Sequence, residues 1–351
     1  MTHPTLARFD ELRRCEPRLA MATLVSATGS SSSIVGAKTF VGESGQIVGS
    51  VTIGGCLDAR AAETADRVLA SNYAELLDIP LADEEAWDLG LACGGNVRLL
   101  VEPVGSGSAT DPVVVAYAAA DQMVAAGRRA LVVRALSGDS ARLVLDADGS
   151  SRGSLGDPAR DARLASLVKA SGAPAVVVDE TDGAAYFVEA FAPPLTVAIF
   201  GAGEVAAVLT RVAGDLGLHT VVVDPRARYA SRERFPGASE IRVGDPGAIA
   251  AELPATADTF VVIVSHDYKF ELPVLRHMLR APVGYIGLMS SRKRIAALRG
   301  FLADEGFAAE ELDRIHAPIG IDIGARTPAQ VAVSIAAQLV AIRAGRDPTV
   351  L

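Results

Sequence analysis

The sequence predicts an α/β protein in which a mixed α+β N-terminal region is followed by a C-terminal doubly wound parallel sheet. Three observations predict it. From Leu195 onward, short apolar runs of strand length alternate with helical stretches, the pattern of successive βαβ units. A glycine-rich turn, Gly201-Ala202-Gly203, joins the first of these runs to the first helix. Upstream of Ala192-Pro193-Pro194 the strand-like runs come instead in pairs around turn residues, as hairpins do.

Taken in order, the segment 1–105 opens with a polar helix near Leu6 to Arg14 and a strand-like run from Leu19 to Ser26, followed by a Gly- and Ser-rich loop. Phe40-Val41 and Gln46 to Val51 form a hairpin about Glu43-Ser44-Gly45. Gly54-Gly55-Cys56 leads into a helix from Leu57 to Ala70, with Leu57, Ala61, Ala65, Val68 and Leu69 at helical spacing. Val97, Leu99 and Val101 alternate with their neighbours in a strand entered directly from Cys93-Gly94-Gly95.

Gly105-Ser106-Gly107-Ser108 has linker composition, and Asp111-Pro112 then supplies an N-cap and a first-turn proline for a helix reaching about Ala126. The segment 111–192 continues with strands at Arg129 to Ala135 and Ala141 to Leu145, a helix opened by Asp157-Pro158, and strands at Val176 to Asp179 and Tyr186 to Ala190. It is expected to pack with the N-terminal domain, and no chemistry can be read from it. The two prolines at 193 and 194 make a semi-rigid connector. In the segment 195–347, strands are expected at Leu195 to Phe200, Thr220 to Val223, Glu240 to Val243, Thr259 to Val264 and Val283 to Leu288, with a last helix from about Pro328 to Ala344.

Composition narrows the function. With 351 residues, half of them hydrophobic and 21% charged, the chain can bury enough surface for two or three globular domains. A net charge of -9 repels phosphodiester backbones and argues against nucleic acid as a partner. There is no apolar run of about 18 residues, and Asp10, Glu11, Arg13, Arg14 and Glu16 interrupt the place where a signal peptide would need an apolar core. A cytoplasmic protein without membrane insertion is expected. The three cysteines lack CxxC spacing, so neither a disulfide framework nor a structural zinc site is suggested.

Gly201-Ala202-Gly203-Glu204-Val205-Ala206 is a GxGxxA fingerprint between a buried strand and a helix, and Asp224 stands 21 positions beyond Gly203. In a Rossmann domain Gly201 permits the tight turn, Gly203 lets backbone approach a pyrophosphate, and Asp224 accepts from a ribose hydroxyl. The other reading is a crevice that is empty or adapted to another phosphate ligand. Arg226 and Arg228 blur any preference between NAD and NADP. Ser265-His266-Asp267 should follow a strand lying beside the first one and face the same crevice, where His266 can donate to a ligand or move a proton. Alternatively Asp267 caps the next helix and His266 is a loop residue. Ser290-Ser291-Arg292-Lys293-Arg294 can offer hydroxyls and cations to a phosphate, or serve as a cap and a solvated face.

Gly54-Gly55-Cys56 and Cys93-Gly94-Gly95 each set a thiol beside backbone that can come close to a ligand. Cys56 also stands at a helix N-terminus, which favours the thiolate, the form that binds soft metals or attacks electrophiles. For Cys15 a buried, inert thiol is expected.

Several runs carry a family resemblance: Gly49-Ser50-Val51 with Gly54-Gly55-Cys56, Asp83-Glu84-Glu85-Ala86-Trp87, and Leu91-Ala92-Cys93-Gly94-Gly95 leading to Val101-Glu102-Pro103. Others are the Gly201 fingerprint, Ser265-His266-Asp267, Tyr285-Ile286-Gly287-Leu288, Arg292-Lys293-Arg294 and the long run from His316 to Pro328. Together they resemble the XdhC/CoxI family, accessory proteins for molybdenum hydroxylases such as xanthine dehydrogenase. The resemblance implies an N-terminal XdhC/CoxI domain, a C-terminal Rossmann domain, and a chaperone that binds molybdenum cofactor (molybdopterin), protects it and delivers it to an apo molybdenum hydroxylase. A homodimer and a cysteine desulfurase partner also follow from the resemblance. By the same token Cys56 and Cys93 would contact the molybdenum or its sulfur ligands, and Gly54, Gly55, Gly94 and Gly95 would offer amides to the pterin or phosphate. The crevice residues Gly201, Gly203, Asp224, His266, Asp267 and Arg292 would hold the nucleotide-like part of the cofactor, or a separate NAD(P). The competing functions are an NAD(P)-dependent oxidoreductase using that crevice, and a redox or nucleotide sensor.

Overall fold

A computed structural model of the chain describes residues 4–16, 18–29, 35–51, 57–80, 95–105, 108–138, 140–146, 148–168, 174–265 and 267–347. The chain divides into two units, Met1–Pro193 and Pro194–Leu351.

In the first unit, β1 (Leu19–Gly29), β2 (Lys38–Gly42), β3 (Ile47–Gly49), β4 (Glu75–Pro80) and β5 (Gly95–Val104) form an antiparallel sheet in the order β3-β2-β1-β5-β4. The expected hairpin is there, with Phe40 opposite Val48. Helix α1 (Pro4–Cys15) precedes the sheet. Helix α2 (Asp58–Ser71) lays Ala61, Ala65, Val68 and Leu69 against Leu24, Val97, Leu99 and Val101, the amphipathic stripe its spacing predicts. Asn72, in the left-handed region at φ 62°, ends it.

A second antiparallel sheet, β8-β7-β6-β10-β9, is built from β6 (Ala130–Ala135), β7 (Leu143–Asp146), β8 (Ser151–Gly153), β9 (Ala175–Val178) and β10 (Ala185–Phe191). Helix α3 (Pro112–Ala125) starts where Asp111 accepts from the amides of Val113 and Val114. It is apolar on nearly every side, but only the face carrying Val113, Ala116, Tyr117, Ala120 and Val124 is buried, against residues of both sheets, while Val115, Ala118 and Gln122 line an exposed face. Helix α4 (Pro158–Val168) covers the second sheet through Leu164 and Val168.

A buried polar network ties the two sheets together. Glu102 of β5 takes Arg134 of β6 at 2.6 Å and also Arg142, all three nearly inaccessible. Lys38 of β2 pairs with Glu189 of β10 at 2.5 Å, and Tyr117 of α3 donates to the same carboxylate at 2.8 Å. Burial alone would raise the Glu102 pKa, but Arg134, Arg142 and Lys38 outweigh it and hold the carboxyl at about 2.

The second unit is a six-stranded parallel sheet, β13-β12-β11-β14-β15-β16. Its strands are β11 (Thr196–Phe200), β12 (His219–Asp224), β13 (Glu240–Val243), β14 (Thr259–Ile263), β15 (Tyr285–Leu288) and β16 (Ile315–His316). Alternate residues serve opposite faces. Val197 and Ile199 pack under α5 (Glu204–Asp215) and α10 (Pro328–Arg343), whereas Ala198 and Phe200 pack under α6 (Pro246–Glu252), α7 (Tyr268–Met278) and α8 (Arg292–Asp304). A short α9 (Ala309–Asp313) follows. The strand order reverses between β11 and β14, so a crevice opens at their carboxyl ends.

Candidate functional site

At the crevice, the amide of Gly201 donates to Val223 O at 2.8 Å and the residue has φ 110°. A side chain there would meet the amide of Ser265 at 3.1 Å and the carbonyl carbon of Val264 at 3.2 Å, so the turn requires glycine. Gly203 is different. Its backbone is extended, a methyl group on it would meet nothing within 4 Å, and as N-cap of α5 it leaves the helix without a side-chain cap. The packing of the chain gives no reason for glycine at 203, whereas a ligand approaching the helix amides would.

Asp224 is wholly buried at the end of β12. It accepts from the amide of Ala202 at 2.9 Å, from the amide and Nε of Arg226 at 3.0 and 2.9 Å, and from Arg226 Nη2 at 2.8 Å. Burial works against its charge, but these donors outweigh it and keep the carboxyl below the usual aspartate range. The residue expected to read a ribose thus organises the fingerprint loop.

Across the crevice, Asp267 is the N-cap of α7 and accepts from Lys269 N at 2.9 Å, and its own amide donates to Ser265 Oγ at 3.2 Å. Ser291 caps α8 by accepting from Arg294 N at 3.3 Å, and Arg292 is exposed at the first position of that helix. His266 lies outside the described residues.

Sequence reasoning missed Glu271. It is fully buried on α7, bound through Oε2 to Arg294 at 2.9 Å, while its Oε1 has no partner among the described residues. Burial pushes its pKa up; Arg294 opposes and Asp267 reinforces the rise, which brings it to about 7. Arg294 also stacks over the Tyr268 ring at 4.3 Å. Ser290, after β15, likewise has a buried hydroxyl with no partner among the described residues. In sequence the only signal was an acid one helical turn after the Asp267 cap.

In the first unit, Gly54, Gly55, Cys56, Cys93 and Gly94 lie outside the described residues. Their flanks do not. Asp58 accepts from Thr39 Oγ1 and Ser50 Oγ, both at 2.6 Å, and from Val51 N at 3.1 Å, which ties the start of α2 to the segment entering the first glycine loop. Gly95 begins β5 opposite Gly29. The end of β3, the end of β4 and the start of β5 all point to one end of the sheet, with β3 and β5 three strand positions apart and offset along their lengths.

Cys15 departs from expectation, for it is exposed at the end of α1. That helix buries Phe9 and Leu12, and the cysteine falls off their stripe. Among the described residues no group of three His, Cys, Asp or Glu is arranged to hold a metal, and no helix is long and apolar enough to cross a membrane. A cavity of about 520 Å³ between α3 and the β7–β8 hairpin, with Arg142 on its wall, contains none of the expected site residues.

Comparison with known proteins gives these features a family. A family model for the XdhC Rossmann domain matches residues 197–339, and one for the XdhC and CoxI family matches 12–80. A Bacillus subtilis protein described as a probable subunit of xanthine dehydrogenase is 22% identical over 338 residues, covering 95% of this chain and 96% of its own. The molybdenum cofactor insertion chaperone PaoD of Escherichia coli is 24% identical over 343 residues, covering 97% of this chain and 89% of its own. An uncharacterized Escherichia coli protein, YqeB, is 28% identical over 174 residues, and that match spans only 32% of its length. A crystal structure described as a xanthine dehydrogenase from Bacillus halodurans superimposes with a TM-score of 0.81 at 25% identity, over 100% of this chain and 98% of that one.

Proposed function

The chain belongs to the XdhC and CoxI family, and on that premise we propose that it is a maturation chaperone that carries molybdenum cofactor as cargo to an apo molybdenum hydroxylase. The single observation that carries this reading is the nearly end-to-end correspondence with a molybdenum cofactor insertion chaperone, 97% of this chain and 89% of that protein. Molybdenum with dithiolene sulfur is a soft, oxidisable centre, and thiolates with backbone amides can hold it without a closed cage. Cys56 and Cys93 are the candidate thiolates, with Gly54, Gly55, Gly94 and Gly95 supplying the amides. β3 and β4, the strands that lead into the two loops, run toward the same end of the sheet, which supports one shared site.

The crevice beside Gly201 and Gly203 receives the nucleotide-like portion of the cargo or a separate nucleotide, NAD(P) included, with Asp267 and Arg292 on its far side and His266 as a further candidate contact. The open space over Gly203 supports this assignment. Delivery is the testable step. Protein purified from a molybdenum-replete host, added to an apo hydroxylase of the xanthine dehydrogenase type, should restore its activity, while protein from a molybdenum-starved host should not. No recovery with either, together with NAD(H) turnover on an added substrate, would replace the chaperone with an oxidoreductase.

A further inference from the structure

The acid that would read a ribose diol is closed to any ligand. Asp224 is wholly buried, and its two oxygens already accept from four donors, two on each: Ala202 N and Arg226 Nη2 on one, Arg226 N and Nε on the other. A carboxylate offers about four lone-pair sites, so none remains for a hydroxyl.

In its place the crevice presents cations. The Arg226 side chain is 54% exposed and its guanidinium lies 4.0 Å from the centroid of the Tyr229 ring. Arg234 approaches the same ring at 5.3 Å and is held by the carbonyl of Ala202 at 3.0 Å, the carbonyl of Tyr229 at 3.3 Å and Glu204 at 2.9 Å. Both guanidiniums are therefore fixed by backbone or carboxylate acceptors within the fingerprint loop and the turn after β12. Gly203, with its open space, belongs to the same loop.

We propose that this crevice selects a ligand bearing a phosphomonoester over one bearing an unmodified diol, with Arg226 and Arg234 as the specificity-determining cations and Tyr229 as the platform that holds them. The inference rests on the crevice being a nucleotide-type site, as proposed above. A phosphomonoester carries about −1.5 to −2 charge near neutral pH and three acceptor oxygens, which suit fixed guanidinium donors. A diol brings donors to an acid that is already saturated. The phosphate can come from a 2′-phosphorylated adenosine ribose or from the side chain of a phosphorylated pterin.

Calorimetric titration of the full chain at low salt tests this with two pairs of probes, NADP+ against NAD+ and neopterin monophosphate against neopterin. The expected result is that at least one phosphorylated member binds about tenfold tighter or more than its partner, and the pair that shows the preference identifies the source. Arg226→Gln should abolish the preference. Arg234→Gln, which leaves Asp224 covered, should reduce it severalfold in a protein with an unchanged circular dichroism spectrum. Equal or tighter binding of NAD+ and neopterin, or a preference that survives both substitutions, overturns the selectivity and leaves the crevice a nucleotide site. No binding of any probe overturns the crevice reading itself.

Discussion

The carboxylate of Asp58 holds the hydroxyl of Thr39 at 2.6 Å, and through that contact the first residue of α2 is fastened to the second strand of the sheet. Cys56, one of the two thiolates proposed above, is two residues away in the chain.

Asp58→Ala removes an acceptor from Thr39, Ser50 and Val51, and Thr39 is fully buried. Urea unfolding should show a loss of about 2–3 kcal/mol. Asp58→Asn, which keeps one acceptor oxygen, should lose less. The pterin retained by protein from a molybdenum-replete host should fall in the same order.

Glu102→Gln leaves Arg134 and Arg142 buried beside a neutral amide, and the same measurement should give a loss of about 3–5 kcal/mol. An unfolded glutamate titrates near 4.3. Because the folded carboxyl titrates lower, at about 2, its contribution is complete above about pH 4.3 and disappears as pH falls towards 2. The wild-type protein should therefore show an acid transition that flattens in the variant.

Glu271 behaves in the opposite sense. Its folded pKa, about 7, lies above the unfolded value, so its contribution is complete below about pH 4.3 and is lost as pH rises through 7. Measured against wild type, the Tm of Glu271→Gln should improve as pH is raised from about 5 to about 8. A constant difference across that range would contradict the assignment.

The two fingerprint glycines should separate. Gly201→Ala forces a side chain into a positive φ and against Ser265, and should cost about 1–3 kcal/mol. Gly203→Ala meets open space and loses only the N-cap preference for glycine over alanine, so it should cost no more than about 1 kcal/mol while weakening nucleotide binding.

The parallel sheet was legible because strands buried on both faces read as unbroken apolar runs, as in Val197 to Phe200, and because the glycine turn marks the first crossover. β4, buried only at Ile79, and β8, exposed throughout, carry no alternation that would mark them in the sequence. β16, two residues long, is held by its place beside β15. Arg134 and Arg142 look like surface residues in a sequence; only the pairing of two sheets around Glu102 makes them core. The spacing from Gly203 found Asp224 but could not show that Arg226, two residues on, saturates it. Nor could periodicity mark Glu271, whose burial depends on how α7 and α8 meet.

The central claim is that the chain holds molybdenum cofactor through thiolates supplied by two glycine-flanked loops. Pterin fluorescence after oxidation of protein purified from a molybdenum-replete host measures it directly, for wild type, Cys56→Ala, Cys93→Ala and, as the control, Cys15→Ala. Pterin should be present in wild type and Cys15→Ala and depleted in both of the other variants. Equal pterin in all four proteins would contradict the claim.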